Sequence, residues 1–256
     1  MGEIRKLLPK YDYLYLGDNA RTPYGTRSFE LVYEFTLQAV KKLFEEGCPL
    51  IILACNTASA KALRTIQQND LPLINPEQRV LGVIRPTAEI VNNLTNTGHV
   101  GVLGTPGTIA SSSYTIEIQK LFPSINVTGE ACPMWVPLIE NQEADKEGAD
   151  YFVKQHLDNL LSKDPLIDTI ILGCTHYPLL LDKIKKYIPK HIQLISQGEY
   201  VASSLENYLY RHPEMDSKLS KEGSCRFLTT DSSEKFDTMA SLFLQGDIHS
   251  ERINLG

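Results

Sequence analysis

"LIILACNTASA" at residues 50–60 and "TIILGCTHYPL" at residues 169–179 are the two stretches that set the fold. Each is a short apolar run ending in a small residue, a cysteine and a threonine-bearing turn, and a helical pattern follows each. Runs that short read as buried strands, and a strand that feeds directly into a helix is the building unit of a parallel α/β sheet. Cys55 and Cys174 stand 119 residues apart in the same context, which is the span of one α/β half. The chain therefore reads as two similar parallel-sheet α/β domains with the active site in the cleft between them.

Outward from these blocks, further β-branched runs recur at "YDYLYLG", "VLGVI", "HVGVLG", "SINVTGEA", "IQLIS" and "CRFLTT". Helical periods fill residues 28–46, 57–68, 86–97, 111–122, 144–162, 178–187 and 199–210. Ser28 is placed to cap a helix that Gly47 stops, and Pro86 suits a first helical turn. No flexible linker separates the halves, so tight crossings near "GVIRP" (82–86) and "LISQG" (194–198) must join them. The expected division is residues 1–84 plus 198–256 for the first domain and 85–197 for the second.

With 42% apolar and 22% charged residues, the 256-residue chain is an ordinary globular protein. Net charge is −6 and the basic residues are interleaved with acids, as in "KKLFEEG", so no one-signed stripe exists to hold nucleic acid. No apolar run spans a membrane, and "MGEIRKLLPK" is no signal peptide. A cytoplasmic protein with no membrane or nucleic-acid partner is expected. Five cysteines without a CxxC pair argue against a disulfide framework or a zinc ribbon. No phosphate cradle or lysine context suggests a nucleotide or pyridoxal site, so no metal and no cofactor is expected.

In an open α/β sheet, ligands bind beyond the carboxyl ends of the strands. A cysteine there meets a helix N-terminus, whose N–H groups favour thiolates and substrate carboxylates. Asn56, Thr57 and Thr175 add short polar side chains. Two acid/base groups on opposite sides of one substrate are what inversion at an acidic carbon requires: one thiolate removes a proton while the other thiol supplies one to the opposite face. General acid/base catalysis gives about 10²- to 10⁴-fold, so positioning and carbanion stabilisation must provide the rest. Cys48, Cys132 and Cys225 lack that repeated context and read as small buried residues.

Six ordered stretches make the chain similar to a known family from about Ile4 onward: "GDNARTPYG" (17–25), "ACNTAS" (54–59), "GVIRP" (82–86), "VLGTPGTIASSSY" (102–114), "CPMWVPLIE" (132–140) and "LGCTHYPLL" (172–180). The chain resembles the cofactor-independent glutamate racemases of bacterial cell-wall synthesis. The resemblance implies that Cys55 and Cys174 are the catalytic acid/bases, that His176 supports its neighbouring thiol, and that Glu140 assists on that side. Tyr24, Gly25, Asn56, Thr57, Thr105, Thr108, Thr175 and His176 match positions that contact substrate. A small-molecule partner, glutamate, follows, and the resemblance is compatible with a homodimer.

Family members begin with a strand ending in an Asp-Ser-Gly loop, and this chain starts after it. The resemblance then implies loss of an Asp that assists the first cysteine, an exposed strand edge, lower stability and impaired activity. At the second crossing, Ser196-Gln197-Gly198 departs from the family's usual Asp-Ser-Gly, so support there is expected to differ. Without the resemblance, "TPYG" has an alternative reading as a turn, His176 as a core or capping histidine, Thr57 as a helix cap and Glu140 as a solvated helix residue. The alternatives in function are an aspartate or hydantoin racemase, an amino-acid-binding protein of the same fold too impaired to turn over, and a thiol hydrolase in which Cys55 would be idle.

Overall fold

The computed structural model describes residues 1–244 and 246–255; Gln245 and Gly256, assigned above to the first domain, lie outside the described residues. The strands among the described residues are β1 Tyr13–Gly17, β2 Leu50–Leu53, β3 Arg79–Gly82, β4 His99–Gly104, β5 Asn126–Ala131, β6 Thr169–Gly173, β7 Gln193–Ile195, β8 Cys225–Thr229 and β9 Ser250–Arg252. Every pairing among the described residues is parallel.

The second half is built on a four-stranded sheet in the order β5-β4-β6-β7. β6, "TIILG", is buried along its whole length, which its lack of polar alternation requires of a strand covered on both faces. Successive side chains point to opposite faces. Ile170 and Leu172 join Trp135, Leu157 and Leu160 in one core, and Ile171 joins Val100, Tyr114 and Ile118 in the other. Register pairs Gly104 with Gly173 at the strand ends, which brings the Thr105 and Cys174 turns side by side.

The first half has two small sheets, β1-β8-β9 and β2-β3, instead of the single sheet that two similar domains would suggest. Among the described residues no strand pairs with both β1 and β2, and side-chain packing joins them: Tyr13 and Leu50 both pack against the cluster that holds Ile4, Leu8, Val201 and Leu205. Ile4 belongs to the helix Gly2–Leu7, which Leu8 caps, and Val201 and Leu205 belong to the helix Gly198–Arg211. The chain passes from a first-half core to a second-half core between Val83 and Ile84, and back between Ile195 and Val201.

Local signals explain the helix ends. The Ser28 hydroxyl accepts from Leu31 N–H at 3.3 Å and starts the helix Phe29–Glu45, which Gly47 closes at φ +89°, a conformation glycine adopts without strain. Among the described residues no helix is long and apolar enough to cross a membrane.

Candidate active site

Cys55 follows β2 as the N-cap of the helix Asn56–Lys61. Burial pushes its thiol up, while the Ala58 and Thr57 N–H groups and the Thr57 hydroxyl favour the thiolate and pull it back. Cys174 follows β6 in the matching position and is 7% exposed. Burial pushes this thiol up to about 12; the His176 N–H opposes that, and negative charge on Cys55 adds to it. Each sulfur thus lies within electrostatic reach of the same cavity, and ionising one makes ionising the other harder.

The Cys174 Sγ lies 3.8 Å from Nδ1 of His176, and Nε2 of His176 lies 3.3 Å from Oε1 of Glu140. A carboxylate can only accept, so Nε2 carries the proton towards Glu140 and Nδ1 faces the thiol as an acceptor. Glu140 ends the helix Trp135–Glu140. The Phe243 ring meets His176 edge-on at 5.8 Å and holds its orientation from the opposite half of the chain.

These groups open on one cavity of about 640 Å³. Its wall includes Tyr24, Gly25, Cys55, Asn56, Thr57, Thr105, Glu140, Cys174, Thr175 and His176. Thr108 stands behind it, 1% exposed, in a triangle of hydroxyls. Thr57 Oγ1 is 2.9 Å from Thr105 and 3.3 Å from Thr108, which is 3.0 Å from Thr105. The halves also meet through backbone, where Gly107 N–H donates to the Gly25 carbonyl at 2.7 Å.

The sequence pattern of the Asp/Glu/hydantoin racemases matches residues 3–204. The chain belongs to that family. Its relatives include a glutamate racemase from Ruegeria sp., 39% identical over 96% of this chain and 92% of the relative. The solved glutamate racemase isoform RacE1 of Bacillus anthracis is 36% identical, with a TM-score of 0.89 over 99% of this chain and 91% of that one. The Francisella tularensis glutamate racemase, solved in complex with D-glutamate, is 33% identical, with a TM-score of 0.87 over 99% and 92% of the two chains.

In this racemase-family chain several site features have no clear sequence signal. Asn56 was expected to offer its side chain to substrate, yet its amide is turned to Gln197 and the Tyr114 hydroxyl. The Tyr24 hydroxyl donates to Asp18 Oδ2, and Asp18 also accepts from Arg21 Nε at 2.8 Å and from the Thr230 hydroxyl at 2.9 Å. Asp18 therefore anchors the "TPYG" loop. Burial and this carboxylate both raise the Tyr24 phenol, so it stays a hydrogen-bonding hydroxyl.

Cys132 contributes to the cavity wall although it is 1% exposed, and burial raises its thiol well above the ordinary range. Cys48 and Cys225 pack half-buried in other clusters. The cavity also has an apolar lining from Tyr15, Phe227, Phe236, Met239 and Phe243. Most of that wall comes from the helix Ser233–Leu244, whose pattern the sequence reading did not single out. Among the described residues no group of three or more His, Cys, Asp or Glu is arranged to hold a metal ion.

Proposed function

We propose that this chain interconverts L- and D-glutamate by proton transfer at Cα between two cysteines. The carrying observation is the placement of Cys55 and Cys174 on matching strand-to-helix turns of one cavity, each beside its own backbone N–H donors. In one direction a thiolate takes the Cα proton, the electron pair stays on the substrate carbon and spreads into the α-carboxylate, and the opposite thiol returns a proton to the other face. The net result is inversion with no change in composition, and the reverse reaction exchanges the two roles.

The thiols need activation. With Cys174 pushed up to about 12, forming its thiolate at pH 7 in the empty cavity costs on the order of 7 kcal/mol. An α-ammonium group brought against the sulfur offsets much of that cost, so binding of the amino acid creates the base. On the Cys174 side, His176 Nδ1 accepts the thiol proton and Glu140 stabilises the resulting imidazolium. The hydroxyls of Thr57, Thr105 and Thr175, with Tyr24 and Gly25, supply the donor-rich wall that two carboxylates of a short dicarboxylic amino acid require.

D-glutamate made this way supplies peptidoglycan, and the proposed location is the cytoplasm, whose reducing chemistry suits five free cysteines. The test is incubation with L-glutamate in D₂O, reading circular dichroism and Cα deuteration together. Decay of ellipticity to zero with one deuterium gained at Cα is expected. No exchange with glutamate would overturn the assignment and leave an amino-acid-binding protein, and faster exchange of aspartate would move it to the neighbouring racemases.

A further inference from the structure

Gln197 is a buried residue, 8% exposed, at the crossing where the chain leaves β7 for the helix Gly198–Arg211. Its side chain closes a ring. The Asn56 Nδ2 donates to Gln197 Oε1 at 2.7 Å, Gln197 Nε2 donates to the Tyr114 hydroxyl at 2.5 Å, and that hydroxyl donates to Asn56 Oδ1 at 2.6 Å. Every member both gives and receives: flipping Gln197 alone would set donor against donor, flipping Asn56 alone would set acceptor against acceptor, and the Val83 carbonyl, which can only accept from Gln197 Nε2, fixes the sense of the ring. Gln197 Nε2 also reaches the Val83 carbonyl at 3.1 Å and the Thr87 hydroxyl at 3.0 Å, which ties in the other crossing.

The ring touches both thiol-bearing turns. Asn56 is the residue after Cys55, at the start of its helix. Tyr114 packs on the residue before Cys174: a Cβ on Gly173 would lie 3.2 Å from Tyr114 Cε2. One side of the ring is therefore bonded to the Cys55 turn and the other is in contact with the Cys174 turn, and neither Gln197 nor Tyr114 is part of the cavity wall. A shift of about 1 Å in the separation of two reacting groups can change a rate about 10²-fold, and a closed ring of buried hydrogen bonds resists such a shift.

We propose that Gln197 and Tyr114 are positioning residues that set the relative placement of the two catalytic thiols, through the Asn56 turn on one side and Gly173 on the other. The inference rests on the two-thiol reading above. Its consequence is specific to inversion. If the thiols lose register, the base can still remove the Cα proton, but the opposite thiol no longer meets the carbanion; the first thiol exchanges its proton with the solvent and returns a deuteron to the face the proton left.

The experiment compares wild type, Gln197→Met and Tyr114→Phe with L-glutamate and D-glutamate in D₂O. For each, the rate of Cα deuteration with retention is measured against the rate with inversion, alongside kcat, KM and thermal unfolding. Both variants are expected to lower kcat about tenfold or more with KM changed by less than about threefold, and to raise the retention-to-inversion ratio. Partial unfolding lowers both rates equally and leaves the ratio alone. Tyr114→Phe removes one hydroxyl without changing volume, so it keeps the test available if Gln197→Met does not fold. An unchanged ratio in a folded variant overturns the positioning role while the racemase reading stands. Absence of any exchange by wild type overturns both.

Discussion

Gly107 donates its backbone N–H to the Gly25 carbonyl at 2.7 Å, and this contact holds the mouth of the cleft at backbone separation. Neither glycine has room for a side chain. A Cβ on Gly25 would lie 2.7 Å from Thr105 Cβ, and one on Gly107 would lie 2.9 Å from the Gly25 oxygen. Gly25→Ala should therefore push Thr105 out of the hydroxyl triangle it forms with Thr57 and Thr108. Racemisation is expected to fall about tenfold or more in kcat/KM, with the larger part in KM, because a loop that lines the cavity is displaced. Steady-state kinetics with glutamate check this, and unchanged parameters would show that the mouth is plastic.

Cys55→Ser and Cys174→Ser should each remove at least about 10³-fold of racemisation, since every direction of the reaction needs both an acid and a base. Cys132→Ala is the contrast. Its sulfur lies on the same cavity, but it packs in the core beside Trp135 and Tyr177, so activity is expected within about threefold of the parent, with a modest loss of stability. Near-parental turnover by either serine variant would end the two-thiol mechanism.

The two cysteine blocks and eight of the nine strands among the described residues are legible because short β-branched runs and helical periods leave strong marks in a sequence. β9, "SER", carries no apolar pattern, and its placement comes from pairing with β8. The helix Trp135–Glu140 hides behind two prolines and was read only as a motif. The cavity residues Cys55, Thr57, Cys174 and Thr175 were legible from their position after strands. The Asp18 anchor and the Asn56–Gln197–Tyr114 ring were not, because their partners are up to 212 and 141 residues apart. Nothing local marks such pairs.

The pH profile follows from the direction of the thiol shifts. Cys174 is pushed up to about 12, so its thiolate is scarce at neutral pH in the free protein. The kcat/KM in the direction that uses it as base should rise about tenfold per pH unit until substrate binding or the second thiol intervenes. The Glu140 charge is one of the influences that raise this thiol. Glu140→Gln therefore makes the thiolate easier to form, and the rising limb should move to lower pH. The plateau rate should fall about tenfold, because the imidazolium at His176 loses its counter-charge. An unchanged limb together with an unchanged plateau would remove Glu140 from the site.

Chelator treatment is a separate check. The two-thiol scheme uses only side chains already on the cavity wall, so racemisation should be unchanged by EDTA and by omission of pyridoxal phosphate. Loss on EDTA with recovery on adding a divalent cation would require a different mechanism.

The two halves should also come apart in order. β4 and β6 are each paired on both sides within the four-stranded sheet, and Ile170, Ile171 and Leu172 between them are 0–1% exposed. In the first half, β1 pairs only with β8 and β2 only with β3 among the described residues, and the two sheets are joined through helix packing rather than a ladder of hydrogen bonds. Short sheets with unpaired edges open at lower free energy than a continuous buried one. The chain contains one tryptophan, Trp135, and it is fully buried in the second half, so its fluorescence reports on that half alone. Cys48 and Cys225 lie in first-half clusters, so their reaction with a thiol reagent reports on the other. In a urea titration, thiol exposure at these two residues and loss of racemisation should precede the Trp135 transition. Amide hydrogen exchange in β1 and β2 should likewise be faster than in β4 and β6. Coincident midpoints for all probes would mean that the helix packing alone makes the molecule one cooperative unit, and that the open edges carry no thermodynamic consequence.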